Sequence, residues 1–331
     1  MFANIREGCR AARCDLTRCR RAAIVFRYAC IGTALAGWEK TVAKLIKVAA
    51  AQTGPVDSDD MATMVPKACA IIEAAAAQGV NIITFCELFL SPFFPNRLEE
   101  DFDRFFTRQD GNIIGPIRET ARAAGVAIVL PFGEWTPGGL FNSALVANAK
   151  GELQGVYRKT HIPAYFPNAK AGGTGSYEKF YFTPGGDLPV FDVDGVKIGV
   201  QICNDRLYPE GSRVLALAGA EIIFMPIAYS VYSDPEYRNA IWDLAIRSRA
   251  FENGVFVVAA NKVGQEGVRR HLGRSMIVDP RGTTIAEASH EAEELLVCEI
   301  DLDQVAASRK KFPWWRDRRP ELYRSIAEAV H

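Results

Sequence analysis

The stretch KIGVQICNDRLYPEG, residues 197–211, holds an apolar run with strand character, Ile198 to Ile202, that stops at Cys203 and gives way to Asn204, Asp205 and Arg206. A thiol at the carboxyl end of a buried strand sits where the sites of α/β folds gather. A helix starting a few residues later would offer its backbone N–H groups to a thiolate, the nucleophilic form of cysteine. The other reading is a structural thiol in the core, but such a residue rarely needs three polar neighbours. Three more side chains are comparably placed. Glu87 closes the apolar run VNIITFCEL, Lys159 follows a strand in VYRKTHIP, and Glu178 lies among the aromatics of SYEKFYFTPG. Nucleophile, carboxylate base and cation are what acyl transfer requires. Taken singly, each has a plain alternative. Glu87 reads also as a surface residue at a strand end, Lys159 as a solvated lysine, and Glu178 as a loop carboxylate paired with Lys179. Phe180 and Tyr181 beside Glu178 would desolvate it and raise its pKa. His161 is a candidate base for a Cys–His pair, although a hydrogen-bonding role near the site is the better reading of it. Jointly the pattern is sharper, because Glu87, Lys159 and Cys203 each follow a strand, in that order.

The elements that must carry these residues are legible from Ile46 onward. IKVAAAQ reads as a buried strand, and Asp59 or Asp60 as the cap of a helix running to about Gln78. VNIITFCEL is a second strand. GPIRETARAAG is a helix with proline near its start and glycine at its end. VAIVLPFGEW is a strand, and FNSALVANAKGELQGVYRK a hairpin turning at AKGE. After a Gly-rich loop (171–176), VFDVDGVKIGVQIC reads as a hairpin turning at Asp194–Gly195. A helix over 210–219, the strand EIIFMPIA, a longer helix within 236–253 and the strand VFVVAANKVG come next. SMIVDPRGTTIAEA is a further hairpin, and ELLVCEIDL the last strand. Buried strands alternating with helices, together with several hairpins, imply an α/β chain with mixed sheets covered by helices in one domain.

The segments FCELFLSPFFP, YRKTHIP and QICNDRLYPE resemble the three motif regions of the nitrilase superfamily, the carbon–nitrogen hydrolases, over about Ile46 to Val305. Within it, ICNDR, FFP after the glutamate, and EKFYFTPGG are most similar to the N-carbamoyl amino acid amidohydrolases, with N-carbamoylputrescine amidases and β-ureidopropionases as near relatives. The resemblance implies a four-layer α-β-β-α sandwich. By matched position it implies Glu87 as general base, Lys159 as oxyanion stabiliser, Cys203 as nucleophile and Glu178 as the second glutamate that positions substrate and lysine. The backbone N–H of Asn204 is a second oxyanion donor, and neither metal nor cofactor is needed. The expected substrate is a small N-carbamoyl amino acid. An N-carbamoyl amine such as N-carbamoylputrescine, or a nitrile or aliphatic amide, is the alternative within the superfamily, and a catalytically silent binding member the alternative outside enzymes. In the N-carbamoyl-D-amino acid hydrolases an arginine placed like Arg206 binds the substrate carboxylate. That group carries a second arginine where this chain has Leu207, and an asparagine where it has Ala228 or a neighbour. The plain alternative for Arg206 is a structural pair with Asp205 or Glu210.

Composition bounds the rest. The 331 residues are 49% hydrophobic and 24% charged, with 39 basic against 39 acidic side chains. No net field draws the chain to nucleic acid or an anionic membrane, and no apolar run is long enough to span a bilayer. Of eight cysteines, four lie in the first thirty residues and the others are scattered without metal-ligand spacing. They read as reduced thiols of a cytoplasmic protein. Residues 1–45, arginine-rich up to Arg27 and then briefly apolar, differ from the rest of the chain. They read as a disordered extension, a targeting segment or a mis-assigned start, leaving 46–331 as the hydrolase domain. The family habit of sandwiches extending across subunits implies a homo-dimer or homo-tetramer. Trp314 and Trp315 read as an interface or a docked tail.

Overall fold

The computed structural model describes residues 43–163, 176–231, 235–267, 269–313 and 315–328. The N-terminal segment up to Val42, the Gly-rich loop over 171–175 and Trp314 lie outside the described residues; Ala43–His331 is one compact unit.

The chain opens with β1 (Leu45–Gln52), α1 (Val65–Ala77), β2 (Ile82–Phe85), α2 (Ile114–Ala124), β3 (Ala127–Thr136), β4 (Gly139–Ala147) and β5 (Leu153–Arg158). The helix turn α3 (Glu178–Tyr181) leads to β6 (Val190–Val193), β7 (Val196–Val200), α4 (Pro209–Leu217) and β8 (Ile222–Ile227). Then come α5 (Pro235–Ala240), α6 (Trp242–Asn253), β9 (Phe256–Asn261), β10 (Val263–Glu266), β11 (Arg269–Leu272), β12 (Met276–Val278), β13 (Thr284–Glu287), β14 (Glu294–Asp301) and α7 (Asp303–Lys311).

Two six-stranded sheets result, ordered β14-β1-β2-β3-β4-β5 and β13-β12-β9-β8-β7-β6. Each has a parallel trio at its centre, β1-β2-β3 and β7-β8-β9. Strands that must be buried on both faces are apolar throughout, and the pleat sends alternate residues to different cores. Val48 and Ala50 of β1 face the second sheet, meeting Ile198, Val200, Phe224 and Val258. Ala49 and Ala51 face α1 and α2 through Ala68, Ile72, Ile117 and Ala121. On the other side Ile223, Met225 and Val257 pack under α4 and α6 through Leu215, Trp242, Ile246 and Ala250. Helix, sheet, sheet and helix thus stack as the expected four-layer α/β sandwich.

The local signals act at the expected positions. Asp60 caps the first helical turn, accepting from Ala62 N at 2.9 Å. Asp194 and Gly195 turn the β6–β7 hairpin with φ of +52° and +83°, the left-handed pair that such a two-residue turn requires. Gly125 ends α2 at φ +67°.

Four features differ from the sequence reading. The second strand stops at Phe85, so Glu87 stands in a turn beyond it. The helix within 236–253 is two pieces, α5 and α6, that meet at Ile241. VFVVAANKVG does not run on as one strand, because β9 ends at Asn261 and the chain enters a separate β10–β11 hairpin. Helix α7 was not anticipated; its apolar anchors, Val305 above all, are too few to make a periodic pattern. Trp315 is docked rather than displayed, packed on the α4–α6 core with Arg213 and Arg309 over its ring. Among the described residues no helix is long and apolar enough to cross a membrane.

Candidate active site

The parallel strands of both sheets deliver their carboxyl ends to one place. Glu87 lies two residues past β2, and its backbone N–H reaches across to Ile227 O at the end of β8, 3.3 Å away. Cys203 opens a short 3-10 turn, Cys203–Leu207, three residues past β7. Both positions are bent. Leu88, directly after Glu87, has φ +49°, and Cys203 itself has φ +47°. A left-handed non-glycine residue costs about 1–2 kcal/mol, and such strain concentrates where a side chain must be aimed.

Lys159 is fully buried one residue past β5. Its Nζ donates to Glu87 Oε1 at 2.7 Å and to Glu178 Oε2 at 2.5 Å. Asn142 on β4 donates its Nδ2 to the same Glu87 oxygen at 2.9 Å, and its carbonyl accepts from Lys159 N–H at 2.8 Å. Ser176 Oγ donates to Glu178 Oε1 at 3.1 Å. Every oxygen of the two carboxylates is therefore occupied except one: Glu87 Oε2 is buried and has no hydrogen-bond partner among the described residues. A carboxylate with one oxygen fixed by an ammonium and an amide, and the other free, is a proton acceptor held in place.

The electrostatics follow from burial and three nearby charges. Burial alone would lower the pKa of Lys159, but Glu178 and Glu87 outweigh it and hold the ammonium well above its ordinary value. Burial, and then the charge of Glu87, raise the Glu178 carboxyl, with Lys159 opposing. The upward direction is the one expected from the sequence, but exposed Phe180 contributes little to it. Cys203 departs from expectation. Burial, followed by Glu87, pushes its thiol up to about 11, against the pull of Arg206 and Lys159. Burial and Glu87 thus favour the thiol form over the thiolate, and Glu87 is close enough for its charge to act on the sulfur.

Asp205 is the hub that the sequence reading passed over. It is fully buried. Its Oδ2 accepts from Tyr157 OH at 2.7 Å and from Ile202 N–H at 2.8 Å, tying the Cys203 turn to β5 and to the end of β7. Its Oδ1 accepts from Thr160 Oγ1 at 3.1 Å and from His161 N–H at 2.9 Å. The His161 ring meets the same oxygen through Nδ1 at 2.9 Å and stacks on Tyr208. His161 therefore braces the turn through Asp205; its ring does not line the cavity at Cys203. Asn204 does line it, and its Nδ2 donates to His161 O at 3.0 Å.

That cavity holds about 160 Å3 and is walled by Cys203, Asn204, Arg206 and Glu178 from the expected set, together with Tyr229, Arg238 and Arg269, which were not singled out from sequence. Arg206 is nearly buried: its Nη1 donates to Cys203 O at 2.6 Å, lies 3.7 Å from Cys203 Sγ, and its guanidinium covers Tyr229 and Trp242. Phe93 reaches the cavity wall. Phe94 and Phe102 belong instead to an aromatic cluster with Phe105, Phe106 and Tyr181, which supports the turn after Glu87.

A carboxylate, an ammonium and a thiol thus converge from the strand ends of two stacked sheets. Over residues 47–310 the chain matches the family model described as carbon-nitrogen hydrolase, and it belongs to that family, within the nitrilase superfamily, whose members hydrolyse non-peptide carbon–nitrogen bonds. It is 36% identical over 283 residues to an N-carbamoylputrescine amidase of Arabidopsis thaliana, a match covering 81% of this chain and 91% of that protein. It is 32% identical over 289 residues to a citrullinase of Francisella tularensis, covering 85% and 98%. A solved carbon-nitrogen hydrolase from Helicobacter pylori superposes with a TM-score of 0.77 at 27% identity, covering 86% of this chain and 99% of that one.

Proposed function

We propose that the chain cleaves the ureido C–N bond of a small N-carbamoyl amino acid, releasing ammonia, carbon dioxide and the free amine. The observation that carries this reading is the buried Glu87–Lys159–Glu178 chain beside Cys203, with one oxygen of Glu87 left open. In the reaction, Glu87 takes the thiol proton as Sγ attacks the ureido carbonyl carbon. The developing oxyanion is met by the Lys159 ammonium and the backbone N–H of Asn204. Protonated Glu87 returns the proton to the departing nitrogen, the C–N bond breaks, and ammonia leaves a carbamoyl thioester on Cys203. Glu87 then activates water against the thioester. The thiol is restored, and the released carbamic acid loses carbon dioxide to give the amine. Glu178 holds Lys159 in place throughout.

A second reading, an N-carbamoylputrescine amidase, is favoured by the relative that bears that name. Both readings share the ureido chemistry and differ in the substrate's tail. Ammonia release from N-carbamoyl-D- and L-amino acids, N-carbamoyl-β-alanine and N-carbamoylputrescine, beside a simple amide and a nitrile, tests them together. Turnover should be confined to ureido compounds; hydrolysis of the amide or nitrile with none of the ureido compounds would refute the assignment.

The reading includes a homo-oligomer in a cytoplasmic setting. Val214, Leu217, Leu244 and Phe251 stand exposed on α4 and α6, apolar surface of the kind a second subunit covers. The four cysteines among the described residues are free thiols, as a reducing compartment keeps them.

A further inference from the structure

Three guanidinium groups line the cavity at Cys203, and Glu178 is the only carboxylate among its described lining residues. That carboxylate is committed to Lys159 and Ser176. Among the described residues, counting Glu87, Glu178 and Lys159 as one net negative charge, the three arginines leave the neighbourhood positive by about two.

The arginines are not equivalent. Arg206 belongs to the nucleophile turn. Its Nη1 is spent on Cys203 O, and its own carbonyl accepts from Arg249 Nε at 2.9 Å. Arg238 and Arg269 come from elsewhere. Arg238 stands on α5, its Nε donates to Ser230 O, and its guanidinium lies 4.1 Å from the Tyr229 ring centre. Arg269, on β11, is nearly buried and lies 4.9 Å from the Phe93 ring centre. A guanidinium held over an aromatic ring keeps its charge and its N–H donors, which can make a two-point contact with a carboxylate.

Both supports are rigid. Leu272 N–H donates to Tyr229 O at 3.1 Å, and Val231 N–H to Arg270 O at 2.9 Å, clamping the hairpin against the segment that carries Tyr229. Glu266 accepts from Phe93 N–H at 2.9 Å and from Lys262 Nζ at 3.2 Å, and lies 3.2 Å from His271 Nε2. That fixes Phe93 against the same hairpin. Two like charges held in one small, poorly hydrated cavity repel each other, and each loses hydration. Burial, with the neighbouring charge of Arg238, draws the Arg269 pKa down despite the carboxylates near it. An anion between them relieves both costs.

We propose that Arg238 and Arg269 together recognise a carboxylate on the substrate, so that the enzyme selects N-carbamoyl compounds with an acid tail over those with an amine tail. This rests on the ureido-hydrolase reading and adds the substrate class and the residues that read it. An ammonium tail would enter a cavity already carrying three cations.

The test compares kcat/KM for N-carbamoyl-β-alanine, n-propylurea and N-carbamoylputrescine in wild type, Arg238→Met, Arg269→Met, Arg269→Lys and Arg206→Lys. Wild type should prefer the acid. The two methionine variants should lose roughly 10- to 100-fold on it, mainly through KM, as expected for a charge-assisted contact. They should change n-propylurea less than about 3-fold, a minor fraction of that contact. Arg269→Lys should recover part of the loss. Arg206→Lys should act alike on all three, because its guanidinium serves the nucleophile turn. Equal losses on acid and n-propylurea in the methionine variants, or a wild-type preference for N-carbamoylputrescine, would overturn the proposal. A binding measurement separates it from the reaction. Calorimetric titration of Cys203→Ala with N-carbamoyl-β-alanine should show binding that Arg269→Met and Arg238→Met weaken. Binding insensitive to both arginines refutes the subsite; arginine-dependent binding with no ureido turnover refutes the reaction and leaves the subsite standing.

Discussion

Two cysteines follow the ends of parallel strands, one in each sheet, and their surroundings are alike in residue type. Cys86 comes after β2 and has Lys262 and Glu266 nearby; Cys203 comes after β7 and has Lys159 and Glu87. Burial raises both thiols. The difference lies in saturation and access. Around Cys86 both Glu266 oxygens and the Lys262 ammonium are hydrogen-bonded, while His271 Nδ1 and Ser91 Oγ have no partner among the described residues. Glu266 serves Val56 N–H, Phe93 N–H, Lys262 and His271, Lys262 also donates to Ser91 O, and Cys86 itself lies 2.9 Å from Thr53 Oγ1. Around Cys203 one oxygen of Glu87 has no partner among the described residues, the backbone is strained, and Cys203 lines a cavity of about 160 Å3. The same residue types make a structural clamp when the carboxylate's acceptors are filled, and a candidate reactive site when one acceptor stays unfilled beside a cavity.

The sharpest way to break this comparison is to exchange the roles. Cys203→Ala should lower turnover by at least about 10^4-fold, as loss of a nucleophile does. Cys86→Ala should keep kcat/KM within a few fold and lower Tm only slightly, since it removes one small buried group. Ammonia release and thermal melting of the two variants decide the matter. Substantial activity in Cys203→Ala would end the thiol mechanism.

The closed cluster should answer in stability. Glu266→Gln leaves Lys262 buried without its countercharge and should cost about 3 kcal/mol in stability. Burial alone would raise the Glu266 pKa, but Lys262 and His271 hold it well below the ordinary carboxylate value. Its contribution is therefore fully present above the unfolded value of 4.5 and is lost as pH falls through the lower folded value. Denaturant melts of wild type and Glu266→Gln should converge on acidification below that value. A gap that stays constant would show that the carboxylate is not the anchor of this cluster.

The smallest expected effect concerns the N-terminus. A chain beginning at Ala43, where the compact unit starts, should match the full chain in Tm and activity within error. An insoluble or inactive product would mean that the preceding residues help to build one of the two strand-end sites.

Much of this was legible in the linear sequence because its causes are local. Apolar runs buried on both faces, a left-handed Asp194–Gly195 turn and glycine at a helix end act within a few residues. Glu87, Lys159 and Cys203 stood out because a reactive type at the end of an apolar run is itself a local pattern. Asp205 was visible as one of three polar letters and as a possible partner of Arg206, and the four residues that meet its carboxylate lie up to 48 positions away. The split at Ile241 carries no strong breaker of its own, and the β10–β11 hairpin turns at Gly267, φ +57°, a single glycine that the strand pattern of VFVVAANKVG obscured.

By itself, then, the amino-acid order determined the strands, the helices and which side chains could serve as nucleophile, base and cation, since propensity, periodicity and residue chemistry are properties of short stretches. Only the tertiary structure decided that burial and Glu87 push the Cys203 thiol's pKa up rather than down, that His161 braces instead of lining the cavity, and that Arg238 and Arg269 line the same cavity. Those outcomes depend on burial and on charges brought together from distant parts of the chain, and Coulomb and desolvation energies are set by distance in space.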